Sequence, residues 1–352
     1  MPWLLWSVAL ATAGLAHAEN LAPAQPDAPA PHIALLLPLN ASAFRQPAEA
    51  VKQGFLAAAK AQAGAPQVRI YSTTEQVEQI LGAYQQARDN GAKVVVGPLT
   101  KNAVAALAAS NLVTLPTIAL SAPDDEITLP NNLYLFSLSL DAETRQVARS
   151  AFLQGNKSIL IVTPGSALAK RLQTSFSDEW RRLGGEAEVI PVAAHSDLEA
   201  FREKVAELNP AAVFIAGDAR DARNLRPYLP AAVALYATSQ AFSGQRDAQL
   251  NIDLTGLRFL DMPWLLQPDH AAVMVYGRSE ARLNSEGERL YAMGIDALRL
   301  ADLFFRGVMP PHGVVLDGVT GQLTLSDQQF LRELVSAEFQ AGQAVVLDVE
   351  RP

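Results

Sequence analysis

The sequence predicts an α/β protein built as two doubly wound parallel-sheet lobes with multiple crossovers. Apolar, β-branched segments alternate with helical segments of 10–18 residues, the pattern of parallel strands covered by helices. The alternation runs from His32 to about 138 and restarts at 139. The chain has 352 residues, beyond the roughly 250–300 at which one core stops growing.

In the first run, IALLLPL (33–39) reads as a strand and Pro47 to Ala63 as an Ala-rich helix. QVRIYST (67–73) is a strand, and Ser72-Thr73-Thr74-Glu75 has capping-box spacing for a helix ending near Asn90-Gly91. VVVGPLTKNAV (94–104) follows. Val94 to Val96 suit a strand buried on both faces. Gly97-Pro98 stops the ladder, because proline donates no N–H. Thr100 is placed to cap the next helix. Lys101 then stands where the helix dipole disfavours a cation, by a few tenths to about 1 kcal/mol. TLPTIALS (114–121) and NLYLFSL (132–138) complete the run.

In the second run, Asp141 to Gln154 is a helix, SILIVT (158–163) a strand, and Ser166 to Leu183 a long helix. EAEVIPV (186–192) is a strand, and Ser196-Asp197-Leu198-Glu199 has capping-box spacing for a helix reaching Asn209-Pro210. AAVFIAG (211–217), a helix from Asp218, and VALYATS (233–239) end the run. Beyond it, LRFLDMPWLL (257–266) reads as a strand crossing between lobes, and Glu288 to Phe305 as an amphipathic helix. GVVLDGVTGQLTL (313–325) holds two short strands, Ser326 to Gln329 caps a further helical stretch, and QAVVLDV ends the chain. This tail is too short for a third lobe. The expected division is therefore lobe 1 at 32–138 with about 262–310, and lobe 2 at 139–261 with about 311–350.

The amino terminus points to export. An apolar stretch from Trp3 to Ala16 leads into Ala16-His17-Ala18, a small-x-small cleavage site. It is shorter than the roughly 20 residues that span a bilayer. Residues 1–18 are read as a signal peptide and 19–31, with prolines at 23, 26, 29 and 31, as an extended linker. No membrane span is expected after cleavage. The net charge of −8 lacks the basic footprint of a nucleic-acid binder. With no cysteine, disulfides, thiolate metal sites, a cysteine nucleophile and acylation at a cysteine are set aside.

Chemistry is not signalled. G-x-S-x-G, H-E-x-x-H, the P-loop and G-x-G-x-x-G do not occur. His17 leaves with the signal peptide and His32 lies at the linker's end, while His195, His270 and His312 sit in separate segments without ligand spacing. The chain is expected not to be an enzyme and to need no cofactor or metal. Asp296, inside an apolar helix, must be hydrogen-bonded or paired and is read as structural. Asp124-Asp125-Glu126 after Pro123 is read as a solvated turn.

IALLLPLN (33–40), VVVGPLTKNAV (94–104), RLYAMGIDALRLADLF (289–304) and DGVTGQLTL (317–325) together resemble the C-terminal domain of LpoA/LppC-type penicillin-binding protein activators. The resemblance covers roughly 32–350 and implies a type I periplasmic-binding-protein fold. It departs in two respects: no cysteine is present for acylation, and a Pro/Ala-rich segment stands where longer members carry a helical-repeat domain.

In such a fold the strand-end groups Asn40, Thr100, Lys101, Ser121, Ser166, Asp218 and Ser239 converge on the cleft between lobes. Lys101 either closes the cleft against an acid on the other lobe, for which Asp218 is the candidate, or receives an acidic group from outside. Ser166, after Pro164-Gly165, opens a helix whose free N–H groups suit an anion. Leu120-Ser121-Ala122-Pro123 lacks the second hydroxyl of the Ser-x-Thr-like word of amino-acid receptors. The resemblance implies a soluble periplasmic regulator of peptidoglycan synthesis that binds a class A penicillin-binding protein. The alternative is a periplasmic receptor feeding a transporter, with a small polar ligand in the cleft. Micromolar affinity there needs about 8 kcal/mol, hence several directed hydrogen bonds from both lobes.

Overall fold

The computed structural model describes residues 29–192, 197–244 and 249–347. The expected signal peptide, most of the linker, His195 and Ser196 lie outside the described residues.

The first sheet begins with β1 (His32–Leu37), α1 (Arg45–Ala61), β2 (Val68–Ser72), α2 (Val77–Asp89), β3 (Ala92–Val96), α3 (Lys101–Ala109), β4 (Thr117–Ala119) and β5 (Leu133–Phe136). All six residues of β1 are buried because helices cover both faces. Ile33, Leu35 and Leu37 join Val94 and Val96 in one core. Ala34 and Leu36 join Val95 in the other. This is the period-two division of a strand buried on both sides.

The chain then builds the second sheet through α4 (Leu140–Leu153), β6 (Ser158–Pro164), α5 (Ala167–Arg182), β7 (Glu186–Val192), α6 (Leu198–Leu208), β8 (Ala212–Ile215), α7 (Ala219–Leu225), β9 (Ala234–Tyr236) and β10 (Leu257–Asp261). It returns to the first lobe through α8 (Pro263–Leu266), α9 (Ala271–Met274), α10 (Ser285–Phe305), β11 (Gly313–Asp317), β12 (Gln322–Ser326) and β13 (Gln329–Glu333). It ends in the second lobe with β14 (Val335–Gln340) and β15 (Gln343–Val346). The sheet orders are β11-β12-β13-β5-β4-β3-β1-β2 and β15-β14-β10-β9-β8-β6-β7. The chain thus passes between lobes three times, near 138, 262 and 334.

Both sheets are mixed rather than wholly parallel: β11, β12 and β13 pair antiparallel, as do β10, β14 and β15. Residues 313–333 belong to the first sheet, against the expected placement of 311–350 in the second lobe; only β14 and β15 extend the second sheet. Ser326 to Gln329 opens no helix. Asp327 takes φ 52° in a tight turn, and Gln328 commits the segment to β5. Its side chain donates to Pro130 O at 2.6 Å and Leu133 O at 2.7 Å, and its carbonyl accepts from Leu135 N at 2.8 Å.

Two capping assignments also change. Ser72 ends β2, and Thr74 Oγ1 instead accepts from Gln76 N at 3.2 Å just ahead of α2. For α6 the cap is Asp197, which accepts from Glu199 N and Ala200 N. The strand expected over 257–266 ends at Asp261, where Pro263 starts a helical turn. Trp264 N donates to Val319 O at 2.9 Å, docking this crossover onto the first lobe.

The first lobe is held by α1 packed on α10. A Cβ at Gly54 would overlap the Tyr291 carbonyl, and one at Gly294 would overlap the Val51 carbonyl. Absent side chains at both positions let the two backbones meet.

Candidate functional site

The carboxyl ends of the parallel strands carry the groups expected at the cleft. At the end of β3, Gly97 has φ 107° and a cis bond to Pro98. A Cβ there would overlap the Leu36 carbonyl of β1, so this word requires glycine twice over. Thr100 occupies the cap position of α3 in an extended conformation, but its side chain makes no capping hydrogen bond. Lys101, the first residue of α3, pairs with Asp124. That acid lies in the turn after β4, which parallel pairing sets beside β3. The expected Lys101–Asp218 contact is therefore replaced by one within the first lobe, and the acidic turn is partly engaged rather than wholly solvated.

On the second lobe, Asp218 serves its own helix. Its Oδ1 accepts from Arg220 N at 2.8 Å and Asp221 N at 2.9 Å, while Asp221 Oδ2 accepts from Asp218 N at 3.2 Å. Ser166 Oγ accepts from Ala169 N at 3.0 Å, capping α5. Asn40 is exposed and Ser121 half-buried. Asn40 is tied by its backbone N–H to Thr73 O at 3.0 Å. Ser239, 2% exposed, donates its backbone N–H to Glu143 Oε1 at 2.5 Å and its hydroxyl to Glu143 Oε2 at 3.1 Å. The structure thus spends most of the expected ligand groups on internal bonds.

Across the cleft, Arg171 of α5 grips Asp141 through Nε at 2.9 and 3.1 Å, and Ser175 Oγ donates to the same carboxylate at 2.9 Å. The bond to Asp141 raises the Arg171 pKa, against burial, and the charge of Asp124 from the opposite lobe adds to the rise. Asp124 therefore stands in the field of one cation from each lobe.

Behind the cleft lies a buried charged junction that the sequence reading did not identify. Arg289 of α10, 5% exposed, donates to Asp261 Oδ2 at 2.6 Å and Oδ1 at 3.2 Å. It also donates to the carbonyls of Ser239 at 2.9 Å and Phe242 at 3.2 Å, so a first-lobe helix grips the second lobe. Burial opposes its charge, but Asp261 and Glu286 more than compensate and hold its pKa above the ordinary value. Glu143 is pushed up to about 7 by burial first and by the Asp261 charge second. The sequence signal was Asp261 and Arg289 interrupting otherwise apolar faces; their mutual pairing was not readable from spacing. Two surface cavities of about 310 and 320 Å³ lie elsewhere, one lined by Leu129, Gln328 and Leu331, the other by Tyr276, Arg299 and Leu316.

Two α/β lobes, between which the chain passes three times, define a type I periplasmic-binding-protein-like chain. The chain belongs to the LppC family, described as "LppC putative lipoprotein", which matches residues 21–209 and 196–342. A protein of known structure from Chromobacterium violaceum ATCC 12472, described as a "putative branched-chain amino acid ABC transporter", is 35% identical. It superposes with a TM-score of 0.77 over 87% of this chain and 99% of its own. The LpoA C-domain from Haemophilus influenzae, described as a regulator of PBP1A, shares the fold at a TM-score of 0.75 and 23% identity. That match covers 90% of this chain and 99% of that one. The penicillin-binding protein activator LpoA of Enterobacter sp. (strain 638) is 30% identical, over 82% of this chain and 46% of its own length. That of Pantoea ananatis (strain LMG 20103) is also 30% identical, over 86% and 50%. This chain thus spans about half the length of the curated relatives it matches.

Proposed function

We propose that this protein regulates peptidoglycan synthesis by binding a class A penicillin-binding protein in the periplasm, without chemistry of its own. The carrying observation is its membership of the LppC family, whose curated relatives bear the name penicillin-binding protein activator. The geometry supports binding over ligand capture. Lys101, Ser166, Asp218 and Ser239 are each engaged within the protein, which leaves few directed groups for a small solute. A specific dock buries about 800 Å² on each partner. Among the described residues no helix is long and apolar enough to cross a membrane, in keeping with action from the aqueous side after export.

The likeness to the Chromobacterium violaceum protein favours a second reading, a receptor closing over a branched-chain amino acid. One experiment separates the two. Purified protein is added to a glycan-synthase assay with a purified class A penicillin-binding protein, and in parallel titrated calorimetrically with leucine, isoleucine and valine. Stimulation with no heat of amino-acid binding supports the regulator. Amino-acid binding without stimulation overturns it in favour of the receptor.

A further inference from the structure

β1 lies between two apolar cores, but the outer face of β11, β12 and β13 is left to solvent. In β12 and β13, Leu323, Leu325 and Phe330 point into the first lobe's core. Alternation sends Thr324 and Leu331 to the opposite face. Val314 of β11 pairs with Thr324, and Thr324 pairs with Leu331, so the three form one row across the strands. Side chains paired in this way stand about 5 Å apart. Both ends of the row are open: Val314 is 62% exposed and Leu331 46%. Leu331 also lines the cavity of about 310 Å³ whose other apolar walls are Ile127 and Leu129. An apolar row therefore runs over the sheet surface into a hollow that can hold an apolar side chain.

The rim of this face is acidic. Asp317 pairs with Gln322, and Gln322 with Glu333, in the row beside Val314 and Leu331. Asp327 stands in the turn at the cavity, on the other side. All three acids are exposed, and Asp317 has His270 Nε2 at 3.6 Å. The three strands carry no lysine. Their one arginine, Arg332, is turned inward onto the carbonyls of Ser137 and Thr320. The face thus sets anionic groups on either side of an apolar row, with no cation of its own strands to answer them. A second copy of this chain, at net charge −8, would place acid against acid, and an anionic lipid surface would be repelled.

We propose that the outer face of β11, β12 and β13 is the surface that docks on a class A penicillin-binding protein. The occupant is a segment of that partner with basic residues flanking an apolar side chain that fills the cavity. The inference rests on the regulator reading above and gives it a surface. Desolvation of the row and cavity supplies the strength of the contact. The acids supply steering and register, because rim charges act on encounter more than on affinity. The cavity wall at Ile127 directly follows the acidic turn, 124–126, that Lys101 engages.

The test uses the full chain and a purified class A penicillin-binding protein from the same organism. Binding is read by biolayer interferometry at low and at high salt, with melting temperature and sedimentation measured alongside. Val314→Ser combined with Leu331→Ser is expected to weaken binding at least about tenfold, with the fold retained because both side chains are exposed. Asp317→Lys combined with Glu333→Lys is expected to weaken it at low salt and much less at high salt. Met274→Ser, at a side chain 66% exposed on α9, is the control and should bind like wild type. A wild-type complex that either double variant forms equally well overturns this surface and leaves the regulator reading standing. A wild-type protein that does not bind the synthase overturns both. A wild-type dimer that the serine variant loses assigns the face to a second copy and overturns the proposal. Should the serine variant fail to fold, hydrogen exchange of the wild-type complex decides: protection gained over 313–333 supports the dock, and protection confined to other segments overturns it.

Discussion

Asp296 Oδ2 on α10 accepts both the backbone N–H of Thr320 at 2.8 Å and its hydroxyl at 2.7 Å. Its Oδ1 takes Val319 N at 3.1 Å and Arg299 Nη1 at 3.0 Å, and the carboxylate is wholly buried. One acid thus fastens the β11–β12 turn to the longest helix of the first lobe. Asp296→Ala leaves three buried donors and Arg299 Nη1 without their acceptor, and is expected to cost about 3 kcal/mol. Urea unfolding measures the cost, and hydrogen exchange should show the 313–326 hairpin losing protection first. Asp296→Asn, which keeps one acceptor oxygen, should lose less.

The α1–α10 crossing predicts a steric failure. Adding a methyl group in Gly294→Ala drives Cβ into the Val51 carbonyl, and the two helices must separate along their shared core. A loss of about 2 kcal/mol or more is expected, read as a lower melting temperature with secondary structure retained. Gly82→Ala in α2, where a Cβ meets nothing within 4 Å, is the control and should be neutral or stabilising.

Glu179, 4% exposed, accepts from Arg182 at 2.6 and 2.9 Å and from Arg149 at 2.9 Å. Its bond to Arg182, assisted by Arg149 and opposed by burial, lowers its pKa to about 2. A carboxylate depressed on folding stabilises above its unfolded pKa and loses that contribution as pH falls toward the folded one. Stability should therefore drop between about pH 4.5 and 2. Because both arginines reach solvent, the contribution is about 1–2 kcal/mol. Glu179→Gln should remove it at pH 7 and flatten the acid limb of a stability-against-pH curve.

Lys101 gives the loop after β3 its functional test. Its pair with Asp124 is a surface bridge, the side chains 39% and 69% exposed, so Lys101→Glu should move stability by no more than about 1 kcal/mol. A glutamate at the start of α3 also suits the helix dipole. If the cleft rim meets the penicillin-binding protein, the variant melts like wild type but stimulates the synthase less. Unchanged stimulation assigns Lys101 to the solvated surface.

Much of the site was legible as position but not as partnership. Ser166 and Asp218 stood where the strand–helix rhythm put them, because a strand's carboxyl end and the next helix cap are neighbours in sequence. The four words that carried the family resemblance are two contacts seen from both sides: Gly97 abuts Leu36, and Asp296 binds Val319 and Thr320. Each word holds only half of its contact, so spacing within a word could not reveal the other half.

The sequence by itself determined the order of strands and helices, the two runs that become two lobes, and the family. These rest on burial patterns and turn residues that act over one or two helical turns. Tertiary structure alone decided that residues 313–333 enter the first sheet, that Ser326 to Gln329 turns rather than coils, that Lys101 meets Asp124, and that Glu143 closes on Ser239. The last two pairs are 23 and 96 residues apart. Which strands lie side by side chose those partners, and strand order is set by how the cores fill, a sum over the whole chain that no local stretch encodes.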